Sequence, residues 1–459
     1  MRGLFLPRPQ RGTVLISALR PGTLAKFLAG QSASVRRWVK EAGFDAAPET
    51  VLAVPGKYGG LARVLFGLGT GDTPWAYAGL RDRLPVGSYA FDGTLPRRDA
   101  TRAALGWALG AYAFTRYKAP KDRPRALVWP AGADRAYVER TVEATFLVRD
   151  LINTPANDMG PAELAAEARK LASRHRGQFS VIVGDALLKK NYPTIHAVGR
   201  ASTRAPRLID IRWGRASDPK VTLVGKGVCF DTGGLDLKGS GNMLLMKKDM
   251  GGGAQILGLA SMIMAAKLRV RLRVLVPAVE NSVSGNAMRP LDVIRTRKGL
   301  TVEIGNTDAE GRLILCDALA EADREEPALI VDCATLTGAA RVALGPDMPA
   351  LFTNDDKVAD ALMRASAEES DPLWRLPLWP GYRATLDSKV ADLNNISDGP
   401  FAGAITAALY LERFVSNKRA WVHLDMMGWN PGPRPGRPRG GEAQGMRALY
   451  RLIAERYAR

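Results

Sequence analysis

Val221-Thr-Leu-Val224-Gly-Lys226-Gly-Val-Cys-Phe-Asp231-Thr-Gly-Gly-Leu-Asp236-Leu-Lys238 starts as an apolar run and then breaks into glycine and charge. A short continuous run of β-branched and apolar residues suits a strand covered on both faces, as in parallel sheets. The chain around it repeats the pattern. Gly251 to Ala266 reads as an apolar helix, Val270 to Val276 and Leu300 to Ile304 as strands, and Arg312 to Ala322 as a helix. Ala328-Leu-Ile-Val331 and Ala420-Trp-Val-His423-Leu424 complete a mostly parallel set. Alternation of this kind predicts an α/β fold with a mostly parallel central sheet flanked by helices. Ligands of such sheets sit beyond the carboxyl ends of the strands, where this chain concentrates its charged residues.

Upstream the pattern is weaker. Val51-Leu-Ala-Val54, Leu61-Ala-Arg-Val-Leu-Phe66 and Ala126-Leu-Val-Trp129 read as strands, and Ala100 to Tyr117 as a helix capped by Asp99. From Ala133 to Leu151 the apolar spacing becomes helical, with Val138, Val142 and Phe146 on one stripe. Asn153-Thr-Pro then stops it. The expected organisation is a small N-terminal α/β domain over 1–130, a connecting helix over 131–152 and a larger domain over 153–459.

The 459 residues are 46% hydrophobic and 24% charged, which excludes a disordered chain. No apolar run is long enough for a membrane-spanning helix, and Met1-Arg2-Gly3-Leu4-Phe5-Leu6-Pro7-Arg8 has no signal-peptide core. Three cysteines cannot make a disulfide scaffold, so a cytoplasmic protein is expected. The net charge of +19 is compatible with DNA as a partner. The basic residues are scattered, and the densest stretch, Arg434-Pro-Gly-Arg437-Pro-Arg439, reads as a Pro/Gly loop. No phosphate loop or dinucleotide fingerprint is present.

Three segments set polar residues in apolar surroundings: Val224–Lys238, Met246–Ala254 and Ile304–Arg312. Asp308 and Glu310 are two apart, so an extended backbone would aim both carboxylates the same way. Like charges so placed repel unless a cation lies between them. With Asp231 and Asp249 there are four carboxylates, enough to neutralise two divalent ions of the kind that activate a hydroxide for hydrolysis. Lys226 beside such ions would lose its proton and serve as a neutral nitrogen ligand. His175, His196 and His423 lie outside the three segments, and Cys229, Cys316 and Cys333 suit packing.

These segments closely resemble the dinuclear leucyl aminopeptidase family of the cytosol aminopeptidase type. The most specific motif is Asn306-Thr-Asp-Ala-Glu-Gly-Arg312, supported by Asn153-Thr-Pro-Ala-Asn157 and Asp332-Cys-Ala-Thr335-Leu-Thr-Gly338-Ala. The resemblance spans about 145 to 459. It implies that Lys226, Asp231, Asp249 and Glu310 hold a tightly bound metal. Asp231, Asp308 and Glu310 would hold an exchangeable one, with a backbone carbonyl from Asp308. It further implies that Lys238 polarises the scissile carbonyl, that Arg312 holds a bicarbonate acting as base, and that Met246, Thr335 and Gly338 line the substrate pocket. The implied protein is a homohexamer with two Mn²⁺ or Zn²⁺ ions per chain, removing N-terminal, bulky apolar residues from peptide substrates. Asp236 and the stretch Trp429–Gly445 differ from better-known members. Another two-metal hydrolase, such as a phosphoesterase, and a DNA-binding architectural protein with secondary peptidase activity are the alternatives.

Overall fold

The computed structural model describes residues 3–119 and 124–457; Met1 and Arg2 of the N-terminal reading lie outside the described residues. The chain divides into two compact units, one formed by residues 1–146 with 432–439 and the other by 147–431 with 440–459. The boundary falls inside the helix Arg135–Asn153.

The first unit is built on β1 (Phe5–Leu6), β2 (Val14–Leu19), β3 (Val51–Pro55), β4 (Leu61–Gly67), β5 (Gly87–Phe91) and β6 (Arg125–Val128). They form one sheet in the order β1-β6-β5-β2-β4-β3, parallel except at the β3–β4 pair. Ile16, Phe66, Tyr77, Trp107 and Leu127 form its core. The helix expected over 100–117 runs instead from Arg97 to Leu109. Pro96 occupies the N-cap and Asp99 lies in the first turn, where its charge favours the helix N-terminus. Gly110 ends the helix, and the aromatic-rich stretch beyond it continues irregularly. The Arg434–Arg439 stretch belongs to this unit, where the Arg437 guanidinium lies 4.0 Å from the Trp75 ring centre.

The second unit carries β7 (Gln178–Val183), β8 (Arg207–Trp213), β9 (Lys220–Gly225), β10 (Gly227–Asp231), β11 (Arg271–Asn281), β12 (Val293–Arg295), β13 (Thr301–Glu303), β14 (Leu329–Ala334), β15 (Ala350–Thr353), β16 (Trp374–Arg375), β17 (Leu393–Asn394) and β18 (Trp421–Asp425). The main sheet has the order β16-β15-β18-β14-β9-β11-β8-β7, with β10 also on β11. Its centre, β18-β14-β9-β11, is parallel, and antiparallel pairs appear toward both edges. This is the α/β architecture with a mostly parallel central sheet. The helices Gly251–Ala265 and Glu310–Arg324 pack against it, burying Val224, Leu275, Leu313 and Leu319 among others. Residues 301–303 are not in this sheet. They form a separate three-stranded sheet, β12-β13-β17, because β13 finds its partners in β12 and β17. Among the described residues no helix is long and apolar enough to cross a membrane.

Candidate metal centre

The parallel strands end at one place. β9 stops at Gly225 and its path resumes at Gly227 as β10, both pairing with β11. Lys226 sits in the break, with its backbone N–H donating to the Cys333 carbonyl at 3.0 Å. The interruption turns a lysine that a regular strand would not accommodate into a buried residue, 3% exposed. Glycine makes the room. A Cβ on Gly311 would lie 2.6 Å from Lys226 Cε, and one on Gly225 would lie 2.7 Å from Gly253 Cα.

Asp231 ends β10, and Asp249 lies in the 3₁₀ turn Met246–Met250 that leads into helix Gly251–Ala265. Glu310 is the first residue of its helix, two residues earlier than the periodicity suggests, while Asp308 lies in the turn before it. The two carboxylates therefore do not converge along an extended strand. A turn brings them together, and the acid at the first helical position also suits the helix dipole.

Carboxylate oxygens of Asp231, Asp308 and Glu310 lie within 4.8 Å of one another. Lys226 Nζ is 2.8 Å from both Asp249 Oδ2 and Glu310 Oε1, and donates to the Thr335 carbonyl at 3.0 Å. Lys238 Nζ is 2.7 Å from Asp231 Oδ2 and also pairs with Asp308. Asp231 Oδ1 accepts from the Gly233 N–H and from Asn281 Nδ2, both at 2.9 Å. Glu310 is 1% exposed, yet its Oε2 has no hydrogen-bond partner among the described residues. Among those residues, its Oε1 and Asp249 Oδ2 are held by Lys226 alone. The two ammonium groups pair with these acids on one side only, and Glu310 Oε2 is left over in a buried position. Orphaned buried carboxylate oxygens fit hard or borderline divalent cations, and one amine is compatible with the same ions.

The protonation energetics carry the same strain. Burial pushes the Glu310 carboxyl up to about 8, helped by Asp231 and Asp249 and opposed by Lys226. Burial and then Asp231 push Asp308 up to about 6, against the pull of Lys238. Burial would depress Lys226, but Asp249, Glu310 and Asp231 outweigh it and hold the ammonium above its ordinary range. Lys238 is raised likewise by Asp231 and Asp308 against its burial. Burial lowers Lys248, with Lys226 and Arg341 adding to the effect.

These groups face a cleft of about 630 Å³. Met246, Thr335, Gly338 and Arg312 line it, with Leu245, Leu336, Met426 and Met427 supplying further apolar surface. Thr335 Oγ1 donates to Asp249 Oδ1 at 2.8 Å, so this residue braces a carboxylate as well as lining the cleft. Arg312 is buried, gives one N–H to the Asn395 carbonyl at 2.7 Å, and keeps an unpartnered Nε. Asp236 and Thr307 bond reciprocally: the Asp236 N–H donates to Thr307 Oγ1 at 2.8 Å, and the Thr307 N–H to Asp236 Oδ2 at 2.7 Å. That pair ties the Lys238 loop to the Asp308 turn. His423 stays in the core, hydrogen-bonded through Nδ1 to Asp332 at 2.5 Å, and all three cysteines are buried and free. Asn281, Asn395 and Asp425 escape sequence reading although each holds a loop of the site. Asp425 accepts from the N–H groups of Leu336 and Thr337 at 3.0 and 3.1 Å. Their only sequence signal is a polar residue at the carboxyl end of a strand.

The family model described as the cytosol aminopeptidase family, catalytic domain, matches residues 146–450, and that of the M17 aminopeptidase N-terminal domain matches 14–130. Peptidase B of Pectobacterium atrosepticum is 42% identical over 341 residues, covering 72% of this chain and 78% of the relative. The crystal structure of a cytosol aminopeptidase from Coxiella burnetii superposes with a TM-score of 0.95 at 47% identity, covering 99% of each chain. The bottromycin maturation enzyme BotP, in a complex with Mn, gives 0.88 at 35% identity, covering 97% of this chain and 99% of that one.

Proposed function

This chain belongs to the cytosol aminopeptidase family and is a metallo-aminopeptidase, and from that premise we propose that it releases bulky apolar N-terminal residues from peptides with two divalent ions. Lys226, Asp231, Asp249 and Glu310 would hold one ion, and Asp231, Asp308 and Glu310 the other. The ions, Mn²⁺ or Zn²⁺, supply Lewis acidity and a water of lowered pKa when bound. The single observation carrying this reading is the buried Glu310 carboxylate, with one orphaned oxygen among three other acids.

The remaining roles fall to this chain's own side chains. Lys238 reaches the cleft beside Asp231 and Asp308, where its ammonium would polarise the scissile carbonyl and stabilise the developing oxyanion. Arg312, with its unpartnered Nε, would hold a bicarbonate near the reacting atoms, since no spare histidine or carboxylate serves as base. Met246, Leu336, Met426 and Met427 would receive the apolar side chain, and Thr335 and Gly338 would frame its backbone. A homohexamer working in the cytoplasm completes the proposal. A panel of amino-acyl anilides and dipeptides, run with each metal in turn, tests it. Release of leucine from leucine p-nitroanilide is expected; hydrolysis of phosphoesters alone would refute it.

A further inference from the structure

We propose that Asn395 is a positioning residue that holds the Asp308–Glu310 turn and Arg312 in one frame; the inference rests on reading those residues as metal-holding and anion-holding groups. Local structure puts Asn395 there. β17 runs parallel to β13 with Val302 opposite Leu393 and Glu303 opposite Asn394, so the next residue emerges beside the start of the turn. Its backbone N–H continues the ladder to the Glu303 carbonyl at 3.0 Å. From Gly305 to Ala309 the chain then has no strand ladder or helix of its own, although it carries Asp308 and leads into Glu310.

Asp236 and Asn281 hold the middle of this stretch at Thr307, and the Asn395 side chain holds its two ends. Its Oδ1 accepts from the N–H groups of Gly305 at 2.7 Å and Asn306 at 3.2 Å. Its Nδ2 donates to the carbonyls of Asn306 at 2.7 Å and Ala309 at 3.4 Å. Both donors and both acceptor positions of the amide are used, and the residue is wholly buried. Its own carbonyl accepts from Arg312 at 2.7 Å. One residue thus touches the entry to the turn, its exit, and the arginine one helical residue beyond Gly311. Nothing nearby leaves room for slack: a Cβ on Gly305 would lie 2.4 Å from Asn394 Oδ1 and 2.6 Å from Ile396 Cγ1. Partners of this kind behind metal ligands commonly matter 10- to 100-fold in metal affinity or activity.

Geometry and chemistry can be separated with two variants. Asn395→Ala removes all four side-chain bonds. Asn395→Asp keeps the size and both acceptor positions but turns an oxygen toward two carbonyls. Metal-stripped full-length protein is titrated with Mn²⁺ by calorimetry, with circular dichroism recording the fold, and kcat and KM are measured on an amino-acyl anilide. Leu319→Ala, buried in the same helix core, serves as a control for lost stability. The expected result is that both Asn395 variants weaken Mn²⁺ binding by roughly 10- to 100-fold, most at the site that Asp308 would share with Glu310. In both, kcat falls while KM stays within about twofold; Leu319→Ala lowers Tm alone. If Asn395→Ala does not fold, Asn395→Asp decides the matter. Wild-type affinity for both ions in a folded variant overturns the inference while the metal reading stands; wild-type protein without a second Mn²⁺ site overturns both.

Discussion

On the proposed ligand set, Lys226 is the residue whose chemistry would change most between the metal-free and metal-loaded protein, so its replacement makes the sharpest prediction. Without ions it is the cation facing Asp249 and Glu310 at 2.8 Å each. At an effective dielectric of 20, each pair at that separation is worth about 6 kcal/mol of gross attraction, much of it offset by desolvation. Removing one partner of a buried pair typically costs about 3–5 kcal/mol, because the other charges stay buried. Lys226→Met should therefore destabilise the stripped protein by about that amount and cost far less once Mn²⁺ is present, since the ions then neutralise the carboxylates. Lys226→Arg keeps a permanent positive charge that an incoming ion cannot displace, and it must fit where Gly311 already lies against the Lys226 stem. Arginine should thus be worse than methionine for metal occupancy. Scanning calorimetry with and without Mn²⁺ and metal content by mass spectrometry read both effects. If arginine retains two ions per chain while methionine loses them, lysine acts as a cation and its assignment as a metal ligand is refuted.

Metal affinity should rise with pH: burial raises the metal-free Glu310 carboxyl and its acidic neighbours keep Lys226 protonated, so an ion competes with protons for both groups. Calorimetry in buffers of different ionisation enthalpy should show proton release on Mn²⁺ binding that persists in mildly alkaline buffer, because the Lys226 ammonium must also give up its proton; absence of release contradicts the prediction. Lys238→Ala should retain both ions yet lose roughly 10²–10³ in kcat, the usual cost of an oxyanion donor, and normal turnover would make the residue structural. Gly252→Ala inverts the usual preference for alanine in helices, because its Cβ would meet the Cys333 carbonyl oxygen at 2.0 Å. A clear fall in Tm is expected, and an unchanged or raised Tm would show that the helix shifts freely.

The glycine-and-charge punctuation after apolar runs made the parallel sheet readable, because buried strands leave little choice of residue. The same punctuation exposed Lys226, Asp231, Asp249, Asp308 and Glu310, which are acids and an amine in surroundings that would otherwise expel them. What failed to show was set by partners far along the chain. β13 is three residues long and takes its identity from β12 and β17, so periodicity alone misplaced it in the main sheet. Asn395 bonds to residues 86 to 90 positions away, and a neutral amide carries no charge anomaly to betray it. Asp308 and Glu310 converge as expected, but through a turn rather than an extended strand, since helix formation begins at Glu310 itself.

The central claim is that this chain's carboxylates and Lys226 hold two catalytic divalent ions. Its most direct test is a stoichiometric titration of thoroughly stripped protein with Mn²⁺, following bound metal and leucine p-nitroanilide hydrolysis in the same samples. The account predicts no turnover in the stripped chain and full activity at two bound ions per chain. Full activity in stripped protein, or saturation of activity with no bound metal, would contradict it.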